Sequence, residues 1–183
     1  YAVHAASAHC NITPEVIKQA RAFDEGFTST SLQIIDNARA DIHIDANNEG
    51  PSYHIALGPH EGGSLWQANV GQRMAETFGG PKWTKADGNS PHAVLPYVGE
   101  RFALVLFTHS SIHSAVARPL FDTLTHHGFR LPKDAGKPQA FPVSRTQRDL
   151  GIDHAWKLYA EECEEALHFL TSEVNGPTVE THS

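Results

Sequence analysis

Apolar residues recur at helical spacing in Val16, Ile17, Ala20 and Phe23, directly behind Thr13, Pro14 and Glu15. A capping hydroxyl, a proline in the first turn and an acid at the positive end start a helix, and Gly26 stops it. Thr28 to Thr30 offer a second cap ahead of Leu32, Ile34, Ile35 and Ala38. That spacing predicts a short helix ending near Arg39. The period then changes to two. In 41–45, DIHID, the side chains of Asp41, His43 and Asp45 point one way and those of Ile42 and Ile44 the other, as in a half-buried strand. After a turn-rich stretch, Tyr53, Ile55 and Leu57 alternate again and leave His54 on the opposite face. The two runs predict an antiparallel hairpin that carries His54 toward His43.

Leu65, Trp66, Val70, Met74 and Phe78 predict a helix over 64–78, closed by Gly79, Gly80 and Pro81. Residues 81–93 read as a polar surface loop, and 94–98 as a short strand. The nearly continuous apolar run in 101–108 predicts an interior strand. A helical segment follows His113, kinked at Pro119 and ended by Gly128, and 129–143 is a proline-bearing loop. Ser144 and Gln147 resemble a capping box, but Gly151 interrupts what would follow. A last helix starts at Ile152, with Trp156, Tyr159, Cys163, Leu167 and Leu170 as its apolar stripe. The pattern predicts a single α/β or α+β domain over 1–183, a mixed sheet covered by helices, with flexible ends at 1–10 and 172–183.

Composition supports a globular chain: 183 residues, 40% hydrophobic and 19% charged. Fourteen basic against twenty-one acidic residues give a formal charge of −7, with no basic stripe, which argues against nucleic-acid binding. No apolar run reaches the length of a membrane span. The sequence begins at Tyr1 without a signal peptide, and both a secreted processed chain and a cytoplasmic one fit. The only cysteines, Cys10 and Cys163, suit a free buried thiol or a bridge between the N-terminus and the last helix. Asn11-Ile12-Thr13 matches a glycosylation sequon. The oligomeric state is not legible.

Thirteen histidines change the picture, because imidazoles ligate metals and shuttle protons. One group gathers Asp41, His43, Asp45, His54, His60 and Glu61, with Gly58, Gly62 and Gly63 exposing backbone N–H groups nearby. A second, His109-Ser-Ser-Ile-His113, follows the buried strand and so stands at a sheet end. His92 sits in the proline-bearing loop and is a candidate substrate contact, while His126 and His127 fit a helix C-terminus. Ser110 and Ser111 lack a nucleophile elbow and a placed acid. Glu161, Glu165 and His168 share a helical side without the partner helices of a di-iron bundle.

Joining the two groups yields a divalent-metal site with His43, His54, His60 and His109 as ligands. Glu61 is then the base for a metal-bound water and His113 a second catalytic group. Zinc is the preferred ion and iron the alternative. The expected function is a metal-dependent hydrolase acting on a polar small molecule or peptide-like bond. A non-haem iron oxygenase and a non-catalytic ligand-binding or assembly protein are the alternatives. Ser111-Ile-His113 with Glu165-Ala-Leu-His168-Phe169 resembles the paired segments of zinc D-alanyl-D-alanine peptidases. The aspartate is not at that family's spacing from His113 and Leu167 replaces its usual tryptophan, so the family is not assigned.

Overall fold

The computed structural model describes residues 12–45, 47–68, 75–78, 82–137 and 145–174. The N-terminal tail, the sequon's Asn11, the Cys10 bridge and the chain beyond 174 lie outside these residues. In chain order the elements are α1 (Ile12–Phe23), β1 (Ser31–Asp36), β2 (Asn48–Leu57), β3 (His60–Gly62), β4 (Leu65–Ala68) and β5 (Ala75–Phe78). They continue with β6 (Thr84–Ala86), β7 (His92–Val94), β8 (Tyr97–Gly99), β9 (Phe102–His109), α2 (Phe121–His126) and α3 (Arg145–Val174), with two 3-10 stretches between β9 and α2.

The α+β expectation stands, with the strands divided among antiparallel sheets. The largest runs β1-β9-β2-β6, a second runs β5-β4-β7, and β3 pairs with β8. The apolar run of β9 lies between β1 and β2, which is why it carries hydrophobic residues on both faces. Beneath one face, α1 packs Val16, Ile17 and Ala20 against Leu32, Tyr53 and Leu106. Over the second sheet, α3 lays Ala155, Ile152, Tyr159 and Cys163 on Trp66, Ala68, Ala93 and Leu95. Among the described residues, no helix is long and apolar enough to cross a membrane.

Two expected helices are strands. Residues 31–36 pair in full register with β9, from Ser31 against Phe107 to Asp36 against Phe102. Leu32 and Ile35 satisfy a helical spacing, but Leu32 and Ile34 also alternate, and an unpaired edge of β9 rewards the extended form. The expected helix over 64–78 is replaced by β4 and β5, paired from Leu65 against Phe78 to Ala68 against Ala75. All four residues of β4 are buried, a demand that a one-sided amphipathic helix does not meet.

The expected hairpin is also corrected. β2 pairs with β9 and β6, whereas 40–45 runs beside 88–94. His43 and His92 exchange backbone hydrogen bonds of 2.9 Å in both directions, Asp45 N–H donates to Gly88 O at 2.8 Å, and Val94 N–H donates to Ala40 O at 3.0 Å. The last helix begins earlier than expected, at Arg145, and passes through Gly151. It turns Trp156 (46% exposed) and Leu167 (51%) outward, two residues of the expected stripe.

Candidate metal centre

The crossing of 40–45 beside β7 brings His43, Asp45 and His92 together. One ligand-type atom from each lies within 4.8 Å of the others. His43 Nε2 is 3.7 Å from Asp45 Oδ1, and His92 Nε2 is 3.7 Å from Asp45 Oδ2. Donor atoms each about 2.1 Å from a shared ion stand at most about 4.2 Å apart, so this spacing fits a metal.

Both rings are held in the same way. His43 Nδ1–H donates to the carbonyl of Asp41 at 2.7 Å, and His92 Nδ1–H to that of Ser90 at 2.9 Å. A carbonyl only accepts, so each Nδ1 carries the proton and each Nε2 keeps its lone pair toward the other ligands. His92 is buried and its pKa is lowered, first by that burial and then by the His43 charge, against the opposing pull of the Ser90 carbonyl and nearby carboxylates. A neutral His92 is the form that ligates.

Asp45 is fixed from behind. Asn48 Nδ2 donates to Asp45 Oδ2 at 2.9 Å and to Ser52 Oγ at 3.1 Å. Gly88 presses against this pair, and a β-carbon there would stand 2.6 Å from Asn48 Nδ2 and 2.9 Å from Asp45 Oδ2.

His54 and Arg101 share this environment. Half-buried by area, His54 still sits under enough protein to push its pKa down to about 3, with the charges of His92 and Arg101 adding to the effect of burial. His54 is therefore neutral at physiological pH and lies within the electrostatic reach of both neighbours. Arg101 is buried, its Nε–H donates to Gly63 O at 3.0 Å, and its pKa is lowered by burial. Among the described residues no carboxylate forms an ion pair with it.

The other expected ligands go elsewhere. His60 and Glu61 lie on β3 opposite Gly99 and Val98, and His60 Nδ1–H donates to Gly62 O at 3.1 Å. His109 ends β9, where its Nδ1 accepts from Ser111 N–H at 3.1 Å. His113 is buried, donates from Nδ1 to Asp134 O at 3.1 Å and pairs through Nε2 with Glu49. Glu49, His113 and Asp134 form the second His/carboxylate group among the described residues. A cavity of about 320 Å³ bounded by Asp24, Phe27, Glu49, Tyr53 and Lys85 opens near that pair and includes none of the first three ligands.

Of the six expected site residues, then, His43 belongs to the first group, His54 borders it, and His60, Glu61, His109 and His113 do not join it. Asp45 was among the polar residues of 41–45 but outside the expected ligand set. Three contributors carried a weaker signal or none: His92, read as a loop contact, Asn48 and Arg101. Pro91 directly before β7, and the strand's length of three residues, hid the strand that delivers His92.

No family model matches the chain, and no curated protein matches it. Among solved structures it is similar to an oxidoreductase of the 2OG-Fe(II) oxygenase family from Burkholderia pseudomallei, with 23% identity, TM-score 0.39 and 45% of this chain covered. It is also similar to hydroxypropylphosphonic acid epoxidase from S. wedmorenis in complex with fosfomycin, with 10% identity, TM-score 0.32 and 43% covered. The matched parts span 46% and 43% of those chains. The hydrolase expectation is corrected: Glu61, the base that hydrolysis required, stands outside both His/carboxylate groups of the described residues.

Proposed function

We propose that this protein is a mononuclear non-haem iron oxygenase whose ion is held by His43, Asp45 and His92. The observation that carries the reading is the donor set: two imidazole Nε2 atoms with fixed tautomers and one carboxylate, gathered within 4.8 Å. Two histidines and one carboxylate leave coordination positions open, the arrangement suited to iron(II) that handles oxygen, and iron replaces zinc as the preferred ion. When bound, iron(II) supplies a site at which dioxygen is reduced beside the substrate.

The chain's own residues do the rest. His43 and His92 present lone pairs because backbone carbonyls hold their protons. Arg101 supplies a buried positive charge that no carboxylate among the described residues pairs with, which favours an anionic cosubstrate; a 2-oxo acid provides a carboxylate for the guanidinium. His54, neutral between the His92 and Arg101 fields, offers a hydrogen bond without adding charge. The substrate is a small polar molecule or a peptide-like one.

The test is oxygen consumption by iron(II)-loaded protein in the presence of 2-oxo acids, with Arg101→Met as comparison. The expected result is uptake that depends on the oxo acid and a KM for it raised about 10-fold or more in the variant, the loss of a charged hydrogen bond. Uptake that is indifferent to the oxo acid, or an unchanged KM, contradicts the Arg101 assignment. Absence of uptake with every 2-oxo acid contradicts the cosubstrate class.

A further inference from the structure

The carboxylate of Asp45 has two oxygens, and its surroundings treat them differently. Oδ2 receives the Asn48 amide at 2.9 Å. The same Nδ2 reaches Ser52 Oγ at 3.1 Å, so both of its N–H donors are directed. Ser52 is fully buried, and Asn48 opens β2 opposite His109 of β9, so the sheet itself anchors the amide. The turn is closed by Asn48 N–H to Asp45 O at 3.3 Å and by Asp45 N–H to Gly88 O. Oδ1 stands 3.7 Å from His43 Nε2 and carries no amide, whereas Oδ2 stands 3.7 Å from His92 Nε2 and shares its lone pairs with the amide.

We propose that Asn48 is a positioning residue that holds Asp45 in its ligand orientation and weakens Oδ2 as a metal donor relative to Oδ1, and that Gly88 must lack a side chain to let that pair form. The proposal rests on the metal centre proposed above. A carboxylate free to rotate can offer both oxygens to an ion and fill a position the site otherwise keeps open. Held at Oδ2, the carboxylate cannot rotate without breaking the amide contact, and the lone pair that accepts the amide makes Oδ2 a poorer donor than Oδ1. A β-carbon at Gly88, 2.6 Å from Asn48 Nδ2 and 2.9 Å from Asp45 Oδ2, would force the two hydrogen-bonded side-chain ends to shift. Partners of this kind typically change metal affinity by about 10–100-fold when removed.

Cobalt(II) is the probe, added without oxygen to the tag-free wild-type protein, Asn48→Leu and Gly88→Ala, with circular dichroism as the check on folding. Leucine keeps the approximate shape of asparagine and removes the donors. The expected result is roughly 10–100-fold weaker cobalt binding in both variants and weaker visible absorption bands, since an added carboxylate oxygen raises the coordination number. A purely structural role for Asn48 leaves the spectrum of the bound ion unchanged. Folded Asn48→Leu with wild-type affinity and spectrum overturns the proposal and leaves the metal centre intact. Failure of the wild-type protein to bind cobalt overturns the metal centre itself. Where Asn48→Leu does not fold, the wild-type side-chain amide decides by 15N NMR with zinc(II). Slow exchange with solvent and a shift on metal addition support the proposal, and a fast-exchanging, unshifted amide overturns it.

Discussion

As proposed ligands, His43 and His92 depend on the nitrogen each does not offer. Their Nδ1 atoms donate to carbonyls two residues back, at Asp41 and Ser90, a local device that needs only the backbone of their own strands. His60 makes the same kind of bond, to Gly62 O, yet joins neither His/carboxylate group of the described residues, so the ring tether alone does not define a ligand. His113 shows a different use. Burial opposes its charge, but the Asp134 carbonyl and the Glu49 carboxylate outweigh it and raise its pKa. A raised pKa in the folded state adds stability that is fully present below the ordinary imidazole value and is lost as pH rises through the raised one. In metal-free protein, Glu49→Gln should cost roughly 1–3 kcal/mol at pH near 5.5, with a smaller difference near pH 8.5, measured by denaturant midpoints. An equal cost at both pH values contradicts the ion pair. Sequence alone showed the richness in histidine and the polar face of 41–45. It could not show which carboxylate each ring meets, because Glu49 and His113 join only through the tertiary fold.

At the level of elements, α1 and β9 were legible because their signals were unambiguous: a capped start with one apolar stripe, and a run hydrophobic on both faces. β1 and β4 were not, since short apolar runs fit helix and strand alike and pairing decides between them. The partner strands, β9 for one and β5 with β7 for the other, are distant facts that periodicity does not carry. The small β3–β8 ladder depends on close backbone approach. Gly99 has φ +94°, and a β-carbon there would lie 2.2 Å from Pro59 O. Gly99→Ala should therefore lower stability by roughly 1–3 kcal/mol, read from the thermal or denaturant midpoint, with little effect on metal affinity because the ladder contains none of the three ligands. A neutral substitution contradicts the tight crossing. Metal affinity that collapses with folding retained ties the ladder to the site.

Across the whole molecule, the site exists because two segments far apart in sequence run side by side. His43 and Asp45 come from the connection between β1 and β2, His92 from a strand of the second sheet, and Asn48 from the first residue of β2. Arg101, the residue before β9, and His92 both lie within electrostatic reach of His54 in the middle of β2. The centre thus spans both larger sheets, and an ion bound there clamps them together. Ligand that binds only the folded chain stabilises it by about 2.7 kcal/mol at one hundred times its dissociation constant, so iron should raise the thermal midpoint by several degrees.

The most direct measurement is an oxygen-free titration of tag-free protein with iron(II), following bound metal per chain in the wild type and in His43→Ala, Asp45→Ala, His92→Ala, His60→Ala and His109→Ala. The expected result is stoichiometric binding that survives the last two substitutions and is lost, or weakened at least about 100-fold, in the first three. Absence of stoichiometric binding in the wild type contradicts the three-ligand centre, as does binding that persists without His92 and disappears without His60 or His109.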